Sequence, residues 1–273
     1  MRITSRKFFA SVGIVGMGAF GELIARHIAG DFTVWAYDPR LTIGTERRGV
    51  LSTTLDRVAS CDVVVIATPV SSFEAVLRDI GRACKPGALI VDVGSVKVIP
   101  AQLMLGLLPQ NVHIIATHPL FGPQSARGGL SGLKIAVCPL RGADHRPLVR
   151  FLARRLGLEV ILTTPEEHDR EAAVVQGLTH LIAKVLLEMG PLPTRMTTRS
   201  FDLLVEAISM VKDDAPEVFE AIEAANPYAE GVRQSFLDAV RHANEKLQNS
   251  SHRSRRNVAG GCPNPDGITG RNR

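Results

Sequence analysis

The sequence predicts an α/β domain with a doubly wound sheet, followed by an all-helical region, and three observations carry that expectation. From Val12 to Thr164 short apolar runs alternate with amphipathic segments, the pattern left by parallel strands joined through crossover helices. A glycine-rich turn follows the first of those runs. Beyond Pro165 the periodicity becomes helical and stays so. The composition suits such a chain: of 273 residues 45% are apolar and 22% charged, enough for a large core and unlike a disordered or fibrous protein.

Taken in order, strands are expected over 12–15, 33–37, 63–67, 88–93, 112–117, 134–138 and 159–162. Helices fit between several of them, as at 72–83 and 144–156. Residues 166–189 read as one long helix, stopped by Gly190, Pro191 and Pro193. A second follows, with Phe201, Leu204, Val205 and Ile208 at i, i+3, i+4 and i+7. Asp213 and Asp214 precede Pro216, a first-turn proline, and that third helix ends near Asn226-Pro227. Val232, Phe236, Val240, Ala243 and Leu247 form the stripe of a last helix. A set of roughly 80 helical residues buries poorly alone, so packing on the first domain or on a second copy is implied. The boundaries expected are 1–165, 166–248 and a basic tail, 249–273, read as disordered because it holds almost no aliphatic residue.

The net charge of +5 is concentrated in that tail, whose five arginines and one aspartate leave +1 on residues 1–248. A nearly neutral body lacks the electrostatic footprint of a nucleic-acid binder. Residues 1–10 have too short an apolar run for a signal peptide, and the uncharged stretch 98–126 is broken by Pro100, Pro109, Pro119 and Pro123, so no membrane segment is expected. Cysteines 61, 84, 138 and 262 lie far apart with no CxxC pair, which points away from a disulfide framework or zinc and toward a reducing compartment, the cytoplasm. No other metal-ligand cluster is apparent.

The glycine turn reads Gly13-Ile14-Val15-Gly16-Met17-Gly18-Ala19-Phe20-Gly21, a GxGxxG at 16, 18 and 21. It follows a strand and opens a helix, and Asp38 closes the next strand 22 residues after Gly16, the context of a Rossmann-like dinucleotide site. Gly16 permits the tight turn, Gly18 lets backbone approach a pyrophosphate and Gly21 allows close helix packing. Asp38 favours NAD, since a carboxylate accepts from ribose hydroxyls and repels a 2′-phosphate; Arg40, two residues on, keeps NADP open. Thr68-Pro69-Val70 and Gly94-Ser95-Val96-Lys97 each end a strand, where doubly wound sheets bind ligands, or else are ordinary strand-to-helix turns.

His118 ends another strand, in Thr117-His118-Pro119-Leu120-Phe121-Gly122-Pro123-Gln124. A dehydrogenase oxidising an alcohol needs a base for the hydroxyl proton, and histidine titrates in the useful range. Gln176 and His180 stand at i and i+4 among small residues, suited to line a pocket or to make a plain interhelical hydrogen bond.

Together the glycine turn, Gly94-Ser95-Val96-Lys97, His118-Pro119-Leu120-Phe121-Gly122-Pro123, Glu167-His168-Asp169, Val175-Gln176-Gly177-Leu178-Thr179-His180 and Asn226-Pro227-Tyr228-Ala229 resemble the prephenate/arogenate dehydrogenase family of tyrosine biosynthesis over roughly residues 11–247. The resemblance implies a nucleotide-binding domain, a helical domain forming a homodimer, and NAD(P)-dependent oxidative decarboxylation of a cyclohexadienol, prephenate or arogenate. It implies that His118 is the catalytic histidine, that Ser95 hydrogen-bonds it and that His180 contacts substrate; Gln176, Gln124 and Lys97 are further substrate-binding candidates. Arg195 and Arg199 are the candidates for the helical-domain arginine that such enzymes use on substrate carboxylates. At Gln124 the family commonly has an acid. Rival readings are a β-hydroxyacid dehydrogenase, disfavoured because Lys184 is followed four residues on by Glu188 rather than asparagine, and a non-catalytic NAD-binding sensor.

Overall fold

The structure, a computed structural model, describes residues 10–142 and 144–259, with side chains as far as 250. Its first elements are β1 (Ser11–Val15), α1 (Ala19–Ile28), β2 (Thr33–Tyr37), β3 (Glu46–Arg47), β4 (Val50–Ser52), α2 (Leu55–Ala59), β5 (Val63–Ile66) and α3 (Val70–Ala83). Then come β6 (Leu89–Asp92), α4 (Val98–Leu107), β7 (His113–Pro119), β8 (Lys134–Arg141), α5 (Arg146–Arg154) and β9 (Glu159–Leu162). The nine strands form one sheet in the order β3-β4-β2-β1-β5-β6-β7-β8-β9. The chain order reverses between β1 and β5, and at that switch point a crevice opens along the carboxyl ends of the strands.

The central strands are buried on both faces, so their sequences read as continuous apolar runs rather than alternating ones. Alternation is present all the same. Ile14, Val63 and Val65 pack into one core with Leu23 and Ile28 of α1, while their neighbours Val15, Val64 and Ile66 pack into a second with Phe73, Leu77 and Ile80 of α3. Period-two geometry thus sends adjacent residues to opposite helical layers. Fully burying one such side chain contributes about 1.5–3 kcal/mol, and it fixes the register that lines up the strand ends.

Two features depart from the sequence expectation. The two short strands β3, at the sheet's edge, and β4, next to it, lie in a stretch that carries too few apolar residues to signal them, and β8 runs antiparallel to β7. The β7–β8 connection holds only a 3-10 turn, Ser125–Gly128, instead of a crossover helix. A connection without a helix returns antiparallel.

The helical region starts with α6 (Pro165–Ala172), where Thr164 and Glu167 make a complete capping box and Pro165 occupies the first turn. A π turn, Ala173–Gly177, follows without a break into α7 (Leu178–Glu188), so the helix expected over 166–189 is continuous but contains a wider turn. Next are α8 (Arg199–Val211), capped by Thr198, α9 (Pro216–Ala224) and α10 (Ala229–Ala259). The last helix extends into the stretch expected to be disordered from 249, because neither glycine nor proline interrupts it between Val232 and Gly260. Residues 260–273 of that tail lie outside the described residues. The chain divides into two compact units, one ending at Glu230 and the other beginning at Gly231; the change from sheet to helices at Thr164 falls inside the first. Among the described residues no helix is long and apolar enough to cross a membrane.

Candidate active site

The crevice is built first by backbone. Gly16 has φ of +95°, and a Cβ there would lie 2.5 Å from the Ala67 carbonyl oxygen; one on Gly21 would lie 2.0 Å from that of Gly16. A Cβ on Gly18, by contrast, would meet nothing within 4 Å. Helix α1 opens at Gly18 with no side-chain cap, which leaves first-turn N–H groups of Ala19, Phe20 and Gly21 without intrahelical partners. That helix start, at Gly18 and Ala19, borders a cavity of about 370 Å³ lined also by Met17, Glu22, Asp38, Arg40 and Leu41. Across the switch point Thr68, followed by Pro69 and Val70 at the start of α3, keeps a buried hydroxyl with no partner. A glycine cradle, a bare helix N-terminus and an unpartnered hydroxyl are the features a dinucleotide fits.

At the far end of that cavity Asp38 and Arg40 act together. The Asp38 carboxylate accepts from Met17 N at 2.9 Å, Arg40 N at 3.0 Å, and Arg40 Nε and Nη2 at 2.9 Å each. Its hydrogen bond from the Arg40 side chain holds it well below the ordinary carboxylate range despite burial. The sequence reading set the two residues against each other as NAD and NADP determinants; the structure joins them in a fork-to-fork pair that occupies the acceptor positions a ribose would use. Arg40 is 74% exposed and free to turn outward.

Further along the strand ends a buried ion pair fixes the backbone around His118. Lys97 Nζ contacts the Asp92 carboxylate and donates to Thr117 O at 2.6 Å. Asp92 also accepts from Gly94 N and Thr117 N. Burial pushes the Asp92 carboxyl up while Lys97 and those amides pull it down. Lys97, expected to meet substrate, is wholly buried, and its ammonium bridges the Asp92 carboxylate of β6 and the Thr117 carbonyl of β7. Asp92, at the end of an apolar strand, was the signal for this pair that the sequence reading passed over.

His118 itself is buried, and its Nδ1 lies 2.8 Å from Nε2 of His168 rather than in a hydrogen bond to Ser95. His168 Nδ1 lies 2.7 Å from Asp169 Oδ1. Ser95 is half-buried in the turn before Lys97, with no hydrogen bond to His118 among the described residues. Burial, then His168 and Lys97, hold the His118 imidazole well below its ordinary value.

A second group gathers around the loop after β7. His180 presents Nδ1 to the Gln176 carbonyl at 2.9 Å and Nε2 to Asp214 at 3.2 Å, so both ring nitrogens face acceptors. Burial pulls this imidazole down, but Asp214 and the carbonyl outweigh it and raise it. Gln124 donates to Asp213 at 3.3 Å, and Gly122 approaches Asp214. The side-chain oxygen of Gln176, in the π turn, is buried without a partner. Arg195 and Arg199, the expected carboxylate ligands, are exposed, Arg195 in the segment before α8 and Arg199 at its first position. Lys184, the residue weighed for a β-hydroxyacid dehydrogenase, instead lies over the Phe219 ring at 4.9 Å.

Fold and site define a nucleotide-binding dehydrogenase with a helical carboxyl-terminal region. Comparison with known proteins narrows this class: residues 40–150 match the nucleotide-binding domain of prephenate dehydrogenase and residues 164–255 its dimerization domain. The chain belongs to the prephenate dehydrogenase family. It is 29% identical over 255 residues to Arogenate dehydrogenase 1, chloroplastic, of Arabidopsis thaliana, covering 88% of this chain and 40% of that protein. It is 26% identical to a probable arogenate/prephenate dehydrogenase of Methanocaldococcus jannaschii, covering 69% and 44%. The chain therefore spans less than half the length of these curated relatives. Among solved structures, prephenate dehydrogenase from A. aeolicus, in complex with hydroxyphenyl propionate and NAD+, matches with a TM-score of 0.68 at 21% identity over 89% of this chain and 92% of that one. Synechocystis arogenate dehydrogenase matches with a TM-score of 0.62 at 19% identity, over 92% and 98%. The match to a nucleotide-binding domain agrees with the glycine cradle and the bare N-terminus of α1.

Removing the Arg40 fork tests the coupled pair. Arg40→Ala should open two acceptor positions on Asp38 and leave its charge facing any 2′-phosphate, so kcat/KM with NADP should fall about tenfold or more while that with NAD changes little. Equal losses with both cofactors, in steady-state assays, would show that Arg40 does not discriminate.

Proposed function

We propose that this chain catalyses the NAD(P)-dependent oxidative decarboxylation of prephenate to 4-hydroxyphenylpyruvate, a step of tyrosine biosynthesis. The observation that carries the reading is His118, a buried imidazole held uncharged at neutral pH at the carboxyl end of β7, on the same edge of the sheet as the glycine cradle. The bound nicotinamide supplies the hydride acceptor. Backbone N–H groups of α1 hold its pyrophosphate, Asp38 and Arg40 meet the adenosine ribose, and Thr68 lines the path between them. His118 takes the proton of the ring hydroxyl as hydride leaves the same carbon. The dienone so formed loses its ring carboxylate as carbon dioxide and becomes aromatic, which requires orientation from the protein but no further base. His180, Gln176 and Gln124 line the substrate side, where Asp214 and the Gln176 carbonyl hold the His180 ring in place.

Gln124 supports prephenate over arogenate. The two substrates differ in the side chain, a ketone in one and an ammonium in the other, and a neutral amide offers no ion pair to the ammonium. Arogenate remains the second reading because Asp213 stands directly behind that amide. The helical region supports a homodimer: Leu187, Met189, Met196, Leu203 and Met210 are exposed on the first unit, and Leu237, Val240 and Leu247 on the second.

Assay of NAD reduction with each cyclohexadienol should give a kcat/KM at least about tenfold higher for prephenate, the scale of one charge-assisted contact; a preference for arogenate would reverse the assignment. His118→Asn should retain cofactor binding while kcat falls by about 10²–10⁴. In the unaltered enzyme the ascending limb of kcat/KM belongs below pH 6.5, because burial lowers His118, and it should disappear in that variant. Turnover of either substrate at the original rate by His118→Asn would remove histidine from the mechanism. Sedimentation at micromolar concentration should show a dimer burying more than about 2,000 Å²; a stable monomer would contradict it.

A further inference from the structure

Behind His118 lies a chain of side chains that the proton-transfer step has not yet used. His118, His168 and Asp169 are 4%, 6% and 0% exposed, and the two imidazoles meet edge to face with centroids 5.0 Å apart. The direction of each hydrogen bond follows from the far end. Asp169 accepts Lys97 N and Val98 N at 2.8 Å each, at the start of α4, and its backbone carbonyl accepts Asn226 Nδ2 at 2.8 Å. A carboxylate only accepts, so the hydrogen between it and His168 sits on His168 Nδ1. With Nε2 of His168 acting as the acceptor, His118 donates through Nδ1–H. The lone pair of His118 is thereby fixed on Nε2.

We propose that His168 and Asp169 are positioning residues that set the tautomer of His118 and receive the charge it acquires. This inference rests on His118 as the base. In the step, the substrate O–H bond breaks and its proton joins His118 Nε2; the Nδ1 proton of His118 moves to His168 Nε2, leaving His118 neutral. His168 becomes an imidazolium against the Asp169 carboxylate, and the protons return by the reverse transfers and are lost to solvent once product leaves. The arrangement answers a difficulty in the site, since burial, then Lys97, disfavour a cation localised on His118, and a second charge on His168 would disfavour it further. The other titratable groups around the chain are Lys97 and Asp92, paired to each other, Cys138 on β8 and Glu166 on α6. None offers His118 a carboxylate as directly as His168 does through Asp169.

The test has two arms. Nitrogen-15 spectra of the histidine-labelled, NAD-bound protein at pH 8, with His118→Gln used to assign the resonance, should show His118 protonated at Nδ1 and bare at Nε2. The opposite tautomer overturns the proposal whatever the substrate proves to be, and it can be read even if a variant fails to fold. His168→Gln can still accept from Nδ1–H but cannot take up a proton. It should keep KM for prephenate and for NAD within about twofold and lose about 10–100-fold in kcat, the scale at which partners of a reacting group act. The ascending limb of its kcat/KM profile should move to lower pH, because the pair with Asp169 no longer helps His118 hold a proton. An unchanged kcat, or a loss with the limb unmoved, would reduce His168 to packing. Absence of turnover by the unaltered enzyme with either cyclohexadienol would instead count against the assigned reaction while the tautomer result stands.

Discussion

The carboxylate of Asp169 is the point on which the described structure turns. It is carried by α6, yet it caps α4, an α-helix with no side-chain cap of its own, from about seventy residues away. Charge-assisted hydrogen bonds of this kind contribute about 1.5–3 kcal/mol each, and here two of them also neutralise the end of a helix dipole. The same carboxylate orients His168. A contact that docks the helical region on the sheet is therefore the contact that holds the partner of His118, so local loosening of α6 would reach that imidazole before it reached the rest of the core.

Under the imidazole, the Lys97–Asp92 pair supplies a different kind of constraint. Two buried charges contribute little net stability, because desolvation cancels much of their attraction. What they provide is position: Lys97 donates to the carbonyl of Thr117, and Thr117 returns its hydroxyl to the Asp92 carbonyl at 2.6 Å. The peptide that carries His118 is clamped from both neighbouring segments, and the ring has one direction in which to reach its partners.

Much of this was legible in the sequence. The strands at 33–37 and 159–162 agree with β2 and β9 to the residue, and the prolines located α6 and α9 and the apolar stripe α8, because each rests on a local rule about apolar runs or prolines. The glycine cradle was legible for the same reason. What escaped was decided between elements. The partner of His118 is fifty residues away in sequence, and only the register of α6 on α4 selects His168 over the nearer Ser95. Lys97 looked like a free cation because nothing local distinguishes an exposed lysine from one committed to a buried aspartate. Asp38 and Arg40 were each recognised, but their spacing does not reveal that they would grip each other. The antiparallel β8 escaped because an apolar run carries no direction.

The π turn at Ala173–Gly177 adds one residue to a helical circuit in the middle of an otherwise regular helix. An α-helix advances about 100° per residue, so that single extra residue sets the angular offset between the face carrying His168 and Asp169 and the face carrying His180. Length in this short stretch is consequently under tighter constraint than identity. Changing a side chain there alters one contact, whereas a one-codon deletion would restore ideal helical winding and rotate everything downstream out of phase with the sheet. Divergence within this segment should therefore be by substitution, with insertions and deletions confined to the loops.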